Sequence, residues 1–368
     1  MRILQNNLLR GYELHASEYE AKALSVLRSG YYVLGPEVRA FEEAFARYLG
    51  AEHFVGLASG LDALWIAFRV LGIGSGDEVI VCANAYIACV MGITINGATP
   101  VFVEPDEYLN IDADRIEAAI TPRTKAILAV HLFGQACDMT RIMALASKHG
   151  LRVVEDCAQS HGNRWNGQTV GTFGDVGCFS FYPTKGCGAF GDGGGIATND
   201  ASLSDAVRVF RNYGSRIRYE NEVVGTNSRL DELQAGLLRV KLTHLDELNA
   251  ERQALAGRYL AGIDNPAIGL PAVRPDADSV WHQFVIRCEA RDALMEYLGR
   301  KEIGTLIHYP IPPHLSRAYE YLGYRAGDFP IAEHSARTVL SLPMYNGMTA
   351  EEQRYVIDAV NRFKVDRA

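Results

Sequence analysis

Short apolar segments alternate with amphipathic segments over most of the first 250 residues. The apolar segments are nearly free of polar side chains and cover residues 53–58, 78–82, 99–103, 125–130 and 151–155. Strands of this composition are typically buried on both faces, as in a parallel sheet covered by helices. The amphipathic segments between them, such as 60–71 and 139–149, predict helices. The alternation therefore restricts this part of the chain to an α/β architecture, in which ligands bind beyond the carboxyl ends of the strands.

The pattern changes at residues 228–260, a long helical segment rich in Leu, Ala, Glu and Arg. After it, a strand at 281–288 and a terminal helix at 350–363 are predicted. A chain of 368 residues also exceeds the ~250–300 residues at which a single hydrophobic core stops growing. We therefore predict a large α/β domain over residues 1–250, which includes an N-terminal arm, and a smaller α+β domain over residues 251–368.

Composition excludes several classes of protein. Charged residues make up 22% of the chain and aromatic residues 10%, which is typical of globular proteins and not of disordered chains. The net charge is −8 and no basic tract stands out, so nucleic acid is not an expected partner. No apolar run approaches the ~18 residues of a membrane span, and the first residues lack the apolar core of a signal peptide. We expect a cytoplasmic protein without membrane association.

The cysteines predict reduced thiols rather than disulfides or metal ligands. There are seven of them, no CxxC pair occurs, and they lie singly in apolar stretches. Buried free cysteines behave as small hydrophobic residues. The histidines show no HxxxH or HExxH spacing, so no metal site is expected.

Three features place a chemically useful group where a strand ends. Asp156 directly follows the strand at 151–155, and its carboxylate is therefore expected in the binding crevice. Ser59-Gly60 lies between a strand and a helix, where the N–H groups of a helix N-terminus bind anions. Taken singly, each of these two features also fits an ordinary helix cap or turn.

The third feature is Lys185, which lies between the segment F-S-F-Y-P-T and a glycine-rich loop. Its neighbours are apolar, and burial favours the neutral amine, a nucleophile that forms Schiff bases with carbonyls. A solvated loop lysine is the alternative. Together the three features describe one ligand, with a phosphate for Ser59-Gly60, a protonated ring nitrogen for Asp156 and an aldehyde for Lys185. Pyridoxal 5′-phosphate carries all three groups and is the predicted cofactor.

The motifs S-F-x-P-x-K, E-D-x-A-Q-x-H-G and N-x-R-x-x-E-L-Q-A occur together with G-Y-Y-V-L-G-P at residues 30–36. In this combination the chain resembles the DegT/DnrJ/EryC1/StrS family of sugar-nucleotide aminotransferases, from residue 30 to the C-terminal helix. The resemblance implies the aspartate aminotransferase fold (fold-type I), whose large domain has a mixed, mostly parallel sheet and whose C-terminal domain is a smaller α+β unit. Some family members replace the lysine with histidine and act as dehydratases, so Lys185 favours amino transfer.

The resemblance also implies roles for individual residues. Lys185 holds the cofactor and acts as general base, Asp156 pairs with the pyridine nitrogen, and His161 lies near the lysine and the substrate. The implied cofactor contacts, besides Lys185 and Asp156, are Ser59, Gly60, Leu61, Tyr86, Gln159, Ser180 and Asn227. Asn227 is expected to reach the phosphate bound by the neighbouring subunit, so the resemblance implies a homodimer with composite sites.

The implied reaction transfers an amino group from L-glutamate to a nucleotide-linked keto-sugar. The segments S-G-L-D-A-L, N-A-Y-I-A and H-Y-P-I-P-P-H resemble those of family members that act on dTDP-3-keto-6-deoxyhexoses. Arginines, which pair with phosphates in bidentate geometry, cluster between residues 211 and 229. The substrate contacts expected on this basis are Tyr31, Tyr182, Arg211, Tyr213, Arg218, Arg229, His308, Tyr309 and His314. Amination at C4 and a non-catalytic regulator that binds a sugar nucleotide are the alternatives.

Overall fold

A computed structural model describes residues 1–365 of the chain. The strands are β1 (His53–Leu57), β2 (Glu78–Cys82), β3 (Thr99–Val103), β4 (Thr124–Val130), β5 (Arg152–Asp156), β6 (Arg164–Trp165), β7 (Gln168–Thr169), β8 (Val176–Ser180), β9 (Gly194–Thr198), β10 (Ser215–Ile217), β11 (Glu220–Asn221), β12 (Ala277–Asp278), β13 (Phe284–Arg287) and β14 (Val339–Leu342). The α-helices are α1 (Leu8–Glu13), α2 (Ala16–Ser29), α3 (Pro36–Leu49), α4 (Gly60–Val70), α5 (Ile87–Thr94), α6 (Ala113–Ile116), α7 (Met139–His149), α8 (Ala201–Phe210), α9 (Glu232–Thr243), α10 (Leu245–Gly262), α11 (Arg291–Arg300), α12 (Pro330–Thr338) and α13 (Ala350–Asn361).

The main sheet has seven strands in the order β1-β9-β8-β5-β4-β2-β3. From β8 to β3 all neighbouring strands are parallel, whereas β9 is antiparallel to both β1 and β8. The prediction of an α/β fold with a mixed, mostly parallel sheet is therefore confirmed. Because the parallel strands point the same way, the segments that follow them meet at one edge of the sheet.

Alternating side chains of the central strands pack into different clusters, as the two-residue period of a strand requires. Val79 and Val81 of β2 belong to one buried apolar cluster, and Ile80 and Cys82 belong to another. The same alternation occurs in β4. Helices cover both faces, which explains why these strands are apolar at nearly every position.

Helix α5 begins directly after Tyr86, whose backbone is extended, with φ −66° and ψ 146°. Most predicted elements of the sheet agree with the structure, and one helical prediction needs correction. The single helical segment expected at 228–260 is α9 and α10, separated at His244, where ψ is 2°. The helices α1, α2, α3, α8, α11 and α12 were not predicted from the sequence.

A further apolar cluster surrounds the two-stranded sheet of β13 and β14. It contains side chains of α10, α11 and α13, among them Leu255 and Tyr259. Ile3 also belongs to this cluster, and its backbone forms an isolated parallel β-bridge with Ile303. The N-terminal arm therefore packs on the C-terminal part of the chain. Because α10 contributes to this cluster from Leu255 onward, we propose that the boundary between the two domains lies within α10, close to residue 250.

All seven cysteines are free and buried. Within residues 1–365, no helix combines the length and the apolar character that crossing a membrane requires.

A buried carboxylate fixes the end of strand β5. Glu155 is 0% exposed, and its oxygens accept the N–H groups of Gly171, Phe173 and Gly174 at 2.7–2.8 Å. His131 Nε2 lies 3.1 Å from the same carboxylate. These contacts attach the loop before β8 to β5, and they hold the backbone from which the next residue, Asp156, projects.

We expect Glu155→Gln to lower the melting temperature by several degrees. The substitution removes the negative charge that accepts three backbone N–H groups, and it turns the NH2 group of the new amide toward one or more of these donors. We expect this to lower the free energy of unfolding by about 2–4 kcal/mol. Differential scanning fluorimetry measures the shift. The control is Glu117→Gln, whose carboxylate is half exposed and contacts Lys148 and His149 at the surface, where such pairs contribute about 0–1 kcal/mol. Equal shifts in the two variants would contradict this role of Glu155.

Candidate active site

Four of the residues singled out in the sequence lie at the same edge of the main sheet. Asp156 ends β5, Ser180 ends the adjacent strand β8, Ser59 follows β1, and Tyr86 follows β2. The strands β5 and β8 are parallel and pair Asp156 with Cys178. The structure therefore brings the carboxylate, the loop that carries Lys185 and the Ser59-Gly60 turn to one side of the sheet.

Asp156 is 7% exposed and both of its carboxylate oxygens accept hydrogen bonds. Ala158 N–H donates to Oδ1 at 3.0 Å, and the thiol of Cys89 donates to Oδ2, with Sγ 3.0 Å away. Burial and the Asp156 charge raise the pKa of Cys89 well above its ordinary value, so the thiol keeps its proton and acts as a donor. Sequence reasoning missed Cys89, because a cysteine in the apolar helix α5 looks like a core residue.

Lys185 lies in the loop after β8, which is closed by a hydrogen bond from its N–H to the carbonyl oxygen of Tyr182 at 2.9 Å. The residue is partly buried. Burial lowers the pKa of the Lys185 amine, and the nearby Asp156 carboxylate opposes this shift. The net lowering increases the fraction of neutral amine, the form that attacks a carbonyl.

The start of α4 and Ser180 form a small cradle for an anion. Ser59 caps the helix, with its Oγ accepting the N–H of Asp62 at 3.1 Å, and its hydroxyl hydrogen is still available for donation. The N–H groups of Gly60 and Leu61 lie in the first turn, where a helix leaves its donors without internal partners. A Cβ added to Gly60 would lie 2.5 Å from Ser180 Cβ and 2.9 Å from its Oγ, so the helix start directly adjoins the serine hydroxyl. These donors suit a phosphate group.

Gln159 connects the edge of the sheet that carries Asp156 to Tyr309, a residue from the C-terminal part of the chain. Its Oε1 accepts the N–H of Phe133 at 2.7 Å, and its Nε2 donates to the hydroxyl of Tyr309 at 3.0 Å. The ring of Tyr309 lies 4.8 Å from that of Tyr86. Tyr309 was expected among the substrate contacts, and the structure places it beside Gln159 and Tyr86, two of the expected cofactor contacts.

Three neutral histidines surround the lysine. Burial, together with the Lys185 charge, lowers the pKa of His161 to about 3, that of His308 to about 4 and that of His282 well below its ordinary value. His161 packs against Phe181, with ring centres 5.8 Å apart, and His308 Nδ1 lies 2.7 Å from Ser341 Oγ. As neutral rings they add no positive charge beside the lysine, and among the described residues neither ring nitrogen of His161 has a hydrogen-bond partner. His282 was not identified from the sequence.

Two expected substrate contacts need correction. Arg211 is 6% exposed, and its guanidinium binds Glu42 and the carbonyl oxygen of Gly56 at 2.6 Å. His314 is 1% exposed, with its ring against Phe329 and its Nε2 3.2 Å from Glu333. Both side chains are held in internal contacts, so neither faces a crevice in this structure.

The other expected substrate contacts, and Asn227, lie at or near the surface of the chain. Tyr31, Tyr182 and Tyr213 are exposed, and Arg229 donates to Asn212 while it covers the Tyr213 ring. Arg218 lies on the hairpin of β10 and β11, above the ring of Tyr219. Asn227 is exposed, and the adjacent Ser228 contacts Ala58 and Asp62 near the phosphate cradle.

The residues present fit pyridoxal 5′-phosphate. The cradle at α4 offers donors for a phosphate, Asp156 offers a buried carboxylate for a ring nitrogen, and Lys185 offers an amine with a lowered pKa. The fold and this site define an aminotransferase that depends on pyridoxal 5′-phosphate.

A comparison with known protein families shows to which family of aminotransferases the chain belongs. The DegT/DnrJ/EryC1/StrS aminotransferase family matches residues 14–361, so the chain belongs to this family. The family predicted from the sequence motifs is confirmed.

The relatives cover nearly the whole chain. A dTDP-3-amino-3,6-dideoxy-alpha-D-galactopyranose transaminase of Aneurinibacillus thermoaerophilus is 53% identical over 92% of this chain and 93% of the relative. A dTDP-3-amino-3,4,6-trideoxy-alpha-D-glucose transaminase of Streptomyces venezuelae is 49% identical over 98% of this chain and 97% of the relative. The crystal structure of S. venezuelae DesV superposes with a TM-score of 0.97 at 49% identity, covering 99% of this chain and 100% of that one. The predicted fold-type I architecture is confirmed by this similarity.

We expect Gly60→Ala to weaken the binding of pyridoxal 5′-phosphate by at least ~10-fold, the scale of one lost charge-assisted hydrogen bond. The added methyl group has no room beside Ser180 and would displace the helix start from the hydroxyl. Titration of the apo-protein, followed by absorbance, gives the dissociation constant. The control is Gly257→Ala in α10, where an added Cβ meets nothing within 4 Å. Equal affinity in the two variants would show that the phosphate lies elsewhere.

Proposed function

We propose that this enzyme transfers the amino group of L-glutamate to the C3 carbonyl of a dTDP-linked 3-keto-6-deoxyhexose, which yields a dTDP-3-amino-3,6-dideoxyhexose. The observation that carries the reaction class is the partly buried Lys185 amine close to the Asp156 carboxylate and on the same side of the sheet as the phosphate cradle. The substrate class is supported by the two transaminases at 53% and 49% identity, whose names both specify a dTDP-3-amino sugar.

The reaction balances without an oxidant or a reductant. Glutamate gives up its amino group and becomes 2-oxoglutarate, and the C=O of the sugar becomes a CH–NH2 group. Bound pyridoxal 5′-phosphate carries the nitrogen between the two substrates and accepts the electron pair that a departing proton leaves on carbon.

The protein's part in this chemistry is to hold the cofactor and to move protons. We propose that Lys185 Nζ holds the cofactor and, once released, takes the proton from the carbon that bears the amino group of the donor. The lowered pKa of Lys185 suits both tasks, because each requires the neutral amine. Burial keeps His161 neutral, and its ring packs against Phe181 beside the lysine loop, so we propose that it supports this position through packing and does not carry charge.

Asp156 acts on the opposite end of the ring. We propose that its carboxylate keeps a proton on the pyridine nitrogen, which strengthens electron withdrawal by the ring. The Cys89 thiol and the Ala158 N–H orient the carboxylate by donating to its two oxygens. Gln159 and Tyr309, which are hydrogen-bonded to each other, and Tyr86 are proposed to position the ring.

We propose a homodimer on the basis of the exposed segment 217–224, which includes the hairpin of β10 and β11 and the residues after it. Tyr219 is 83% exposed and Val224 is 95% exposed, and large apolar side chains on a projecting segment favour burial against a partner. In a dimer this segment would bring Arg218, Arg229 and Asn227 to the neighbouring site, where arginines suit the diphosphate of the sugar nucleotide. We also propose a cytoplasmic location, which the seven free thiols support.

The substrate assignment predicts which keto-sugar is aminated. The holoenzyme is incubated with glutamate and with either a dTDP-3-keto or a dTDP-4-keto 6-deoxyhexose, and the products are identified by NMR. We expect amination of the 3-keto compound. Amination of only the 4-keto compound would contradict the regiochemistry and leave the family unchanged. Reaction of neither, with turnover of a free sugar or an amino acid, would refute the sugar-nucleotide assignment.

The composite site predicts complementation between inactive subunits. If Asn227 serves the partner's site, a heterodimer of Asn227→Ala and Lys185→Ala subunits has one site with both changes and one site with neither. We therefore expect partial recovery of activity on mixing, measured against each parent and against unmixed samples. If Asn227 instead serves the site of its own chain, close to Ala58 and Asp62, no site is intact and no activity returns.

A further inference from the structure

Two histidines and a glutamate meet where the N-terminal arm packs on the break between α9 and α10. His15 directly precedes α2, Glu18 lies in the first turn of that helix, and His244 separates α9 from α10. The two imidazole rings are nearly parallel, with an interplanar angle of 11° and their centres 3.6 Å apart. None of these three side chains takes part in the cofactor site described above.

The three side chains bring their ligating atoms close together. His244 Nε2 lies 3.1 Å from both carboxylate oxygens of Glu18, and His15 Nδ1 lies 3.7 Å from Oε1. One ligand atom from each residue lies within 4.8 Å of the other two. Bonds of about 2.0–2.2 Å place two ligand atoms of a tetrahedral zinc ion about 3.3–3.6 Å apart. The spacing in the cluster is therefore close to that of a zinc site.

The chemistry and the exposure of the cluster also suit a metal ion. Two imidazoles and one carboxylate are a ligand set that zinc uses in proteins, with water in the fourth position. The side chains of His15 and His244 are 15% and 21% exposed, and that of Glu18 is 50% exposed, so an ion and its water can enter from solvent. Because the rings are stacked, their nitrogen lone pairs run side by side, and a shared ion requires one ring to tilt. Partial exposure permits this movement.

The backbone that carries the ligands is fixed on both sides of the cluster. The carbonyl oxygen of His15 accepts the N–H groups of Glu18 and Tyr19 at 3.1 and 3.2 Å, and that of His244 accepts the N–H of Leu248 at 3.0 Å. Each histidine is therefore held at the start of a helix. Metal sites are more precise when their ligands project from such regular elements.

The helix that carries Glu18 is also packed closely on α9. A Cβ added to Gly236 of α9 would lie 3.0 Å from Val26 Cγ2 and 3.2 Å from Lys22 Cδ, both in α2. Val26 is 2% exposed. This packing keeps the start of α2 beside His244, so the three ligands stay together without a bound ion.

Another group of potential ligands, His131, Glu155 and Cys157, is completely buried and already hydrogen-bonded. His131 Nδ1 accepts the N–H of Cys137 at 3.0 Å, and the Glu155 carboxylate accepts backbone N–H groups. An ion there would have to displace these contacts, whereas the cluster at His15 is open to solvent.

We propose that His15, Glu18 and His244 bind a divalent transition metal ion, for which Zn²⁺ has the matching ligand set and spacing. The ion ties the N-terminal arm to the junction of α9 and α10 and stabilises the folded chain. This role is structural and does not depend on the proposed function. Local sequence motifs could not predict it, because Glu18 and His244 are 226 positions apart in the chain.

The test measures Zn²⁺ binding to the holoenzyme by competition with a chromophoric zinc indicator at neutral pH. We expect one competing ion per chain in the wild type. His15→Gln, His244→Gln and Glu18→Gln should each weaken zinc affinity by at least ~10-fold, since even the loss of an outer-shell partner has an effect of this size.

The matched control is His149→Gln, which should stay within about threefold of wild type. His149 Nε2 lies 2.8 Å from Glu117 at the surface, and within residues 1–365 this pair has no second histidine beside it. The control therefore separates a three-ligand site from the weak attraction of zinc to any surface histidine that is paired with a carboxylate.

Thermal melting provides a second measurement. Zn²⁺ should raise the melting temperature of the wild type, because an ion that binds only the folded state stabilises it, and this shift should disappear in His15→Gln. Without zinc, the variants should melt within a few degrees of wild type, because the substituted side chains are partly exposed. If one of the variants does not fold, the other two decide the result. Failure of the wild type to compete for zinc, equal affinity in wild type and the folded variants, or a thermal shift that persists in them would overturn the proposal.

Discussion

The nearness of the Lys185 amine to the Asp156 carboxylate is the constraint on which the rest of the site depends. A lysine in apolar surroundings loses its proton more easily, and a nearby carboxylate opposes that loss, so the balance between the two sets the fraction of reactive amine. Both groups owe their place to adjacent parallel strands, since Asp156 ends β5 and the lysine loop follows β8.

Much of the surrounding structure holds this arrangement in place. Glu155 attaches the loop before β8 to the end of β5 through three backbone hydrogen bonds, and Cys89 donates its thiol proton to Asp156. Gln159 links the same edge to Tyr309, so a hydrogen bond ties the C-terminal part of the chain to the site. The three neutral histidines complete a wall that adds no positive charge beside the lysine.

The strands of the sheet and the polar residues directly after them could be predicted from the sequence, because all of these strands are buried in the same way. Strands buried on both faces have to be apolar throughout, and polar groups directly after them have to face the crevice. Arg211 and His314 show where this reasoning fails, since an arginine or histidine in a motif does not reveal whether a buried glutamate already binds it. Cys89 was missed because it lies in a helix whose pattern is that of the core. Its significance depends on how α5 packs against the end of β5, and that is a property of the tertiary structure.

The identity of the cofactor-bearing lysine tests the account most directly, because burial lowers the pKa of two lysines, Lys185 and Lys241. Reduction of the holoenzyme with borohydride fixes the cofactor on the lysine that holds it, and mass spectrometry of the digested protein identifies the modified peptide. We expect the phosphopyridoxyl group on Lys185 alone. Modification of Lys241 or another lysine, or the absence of any fixed cofactor, would contradict the assignment of Lys185.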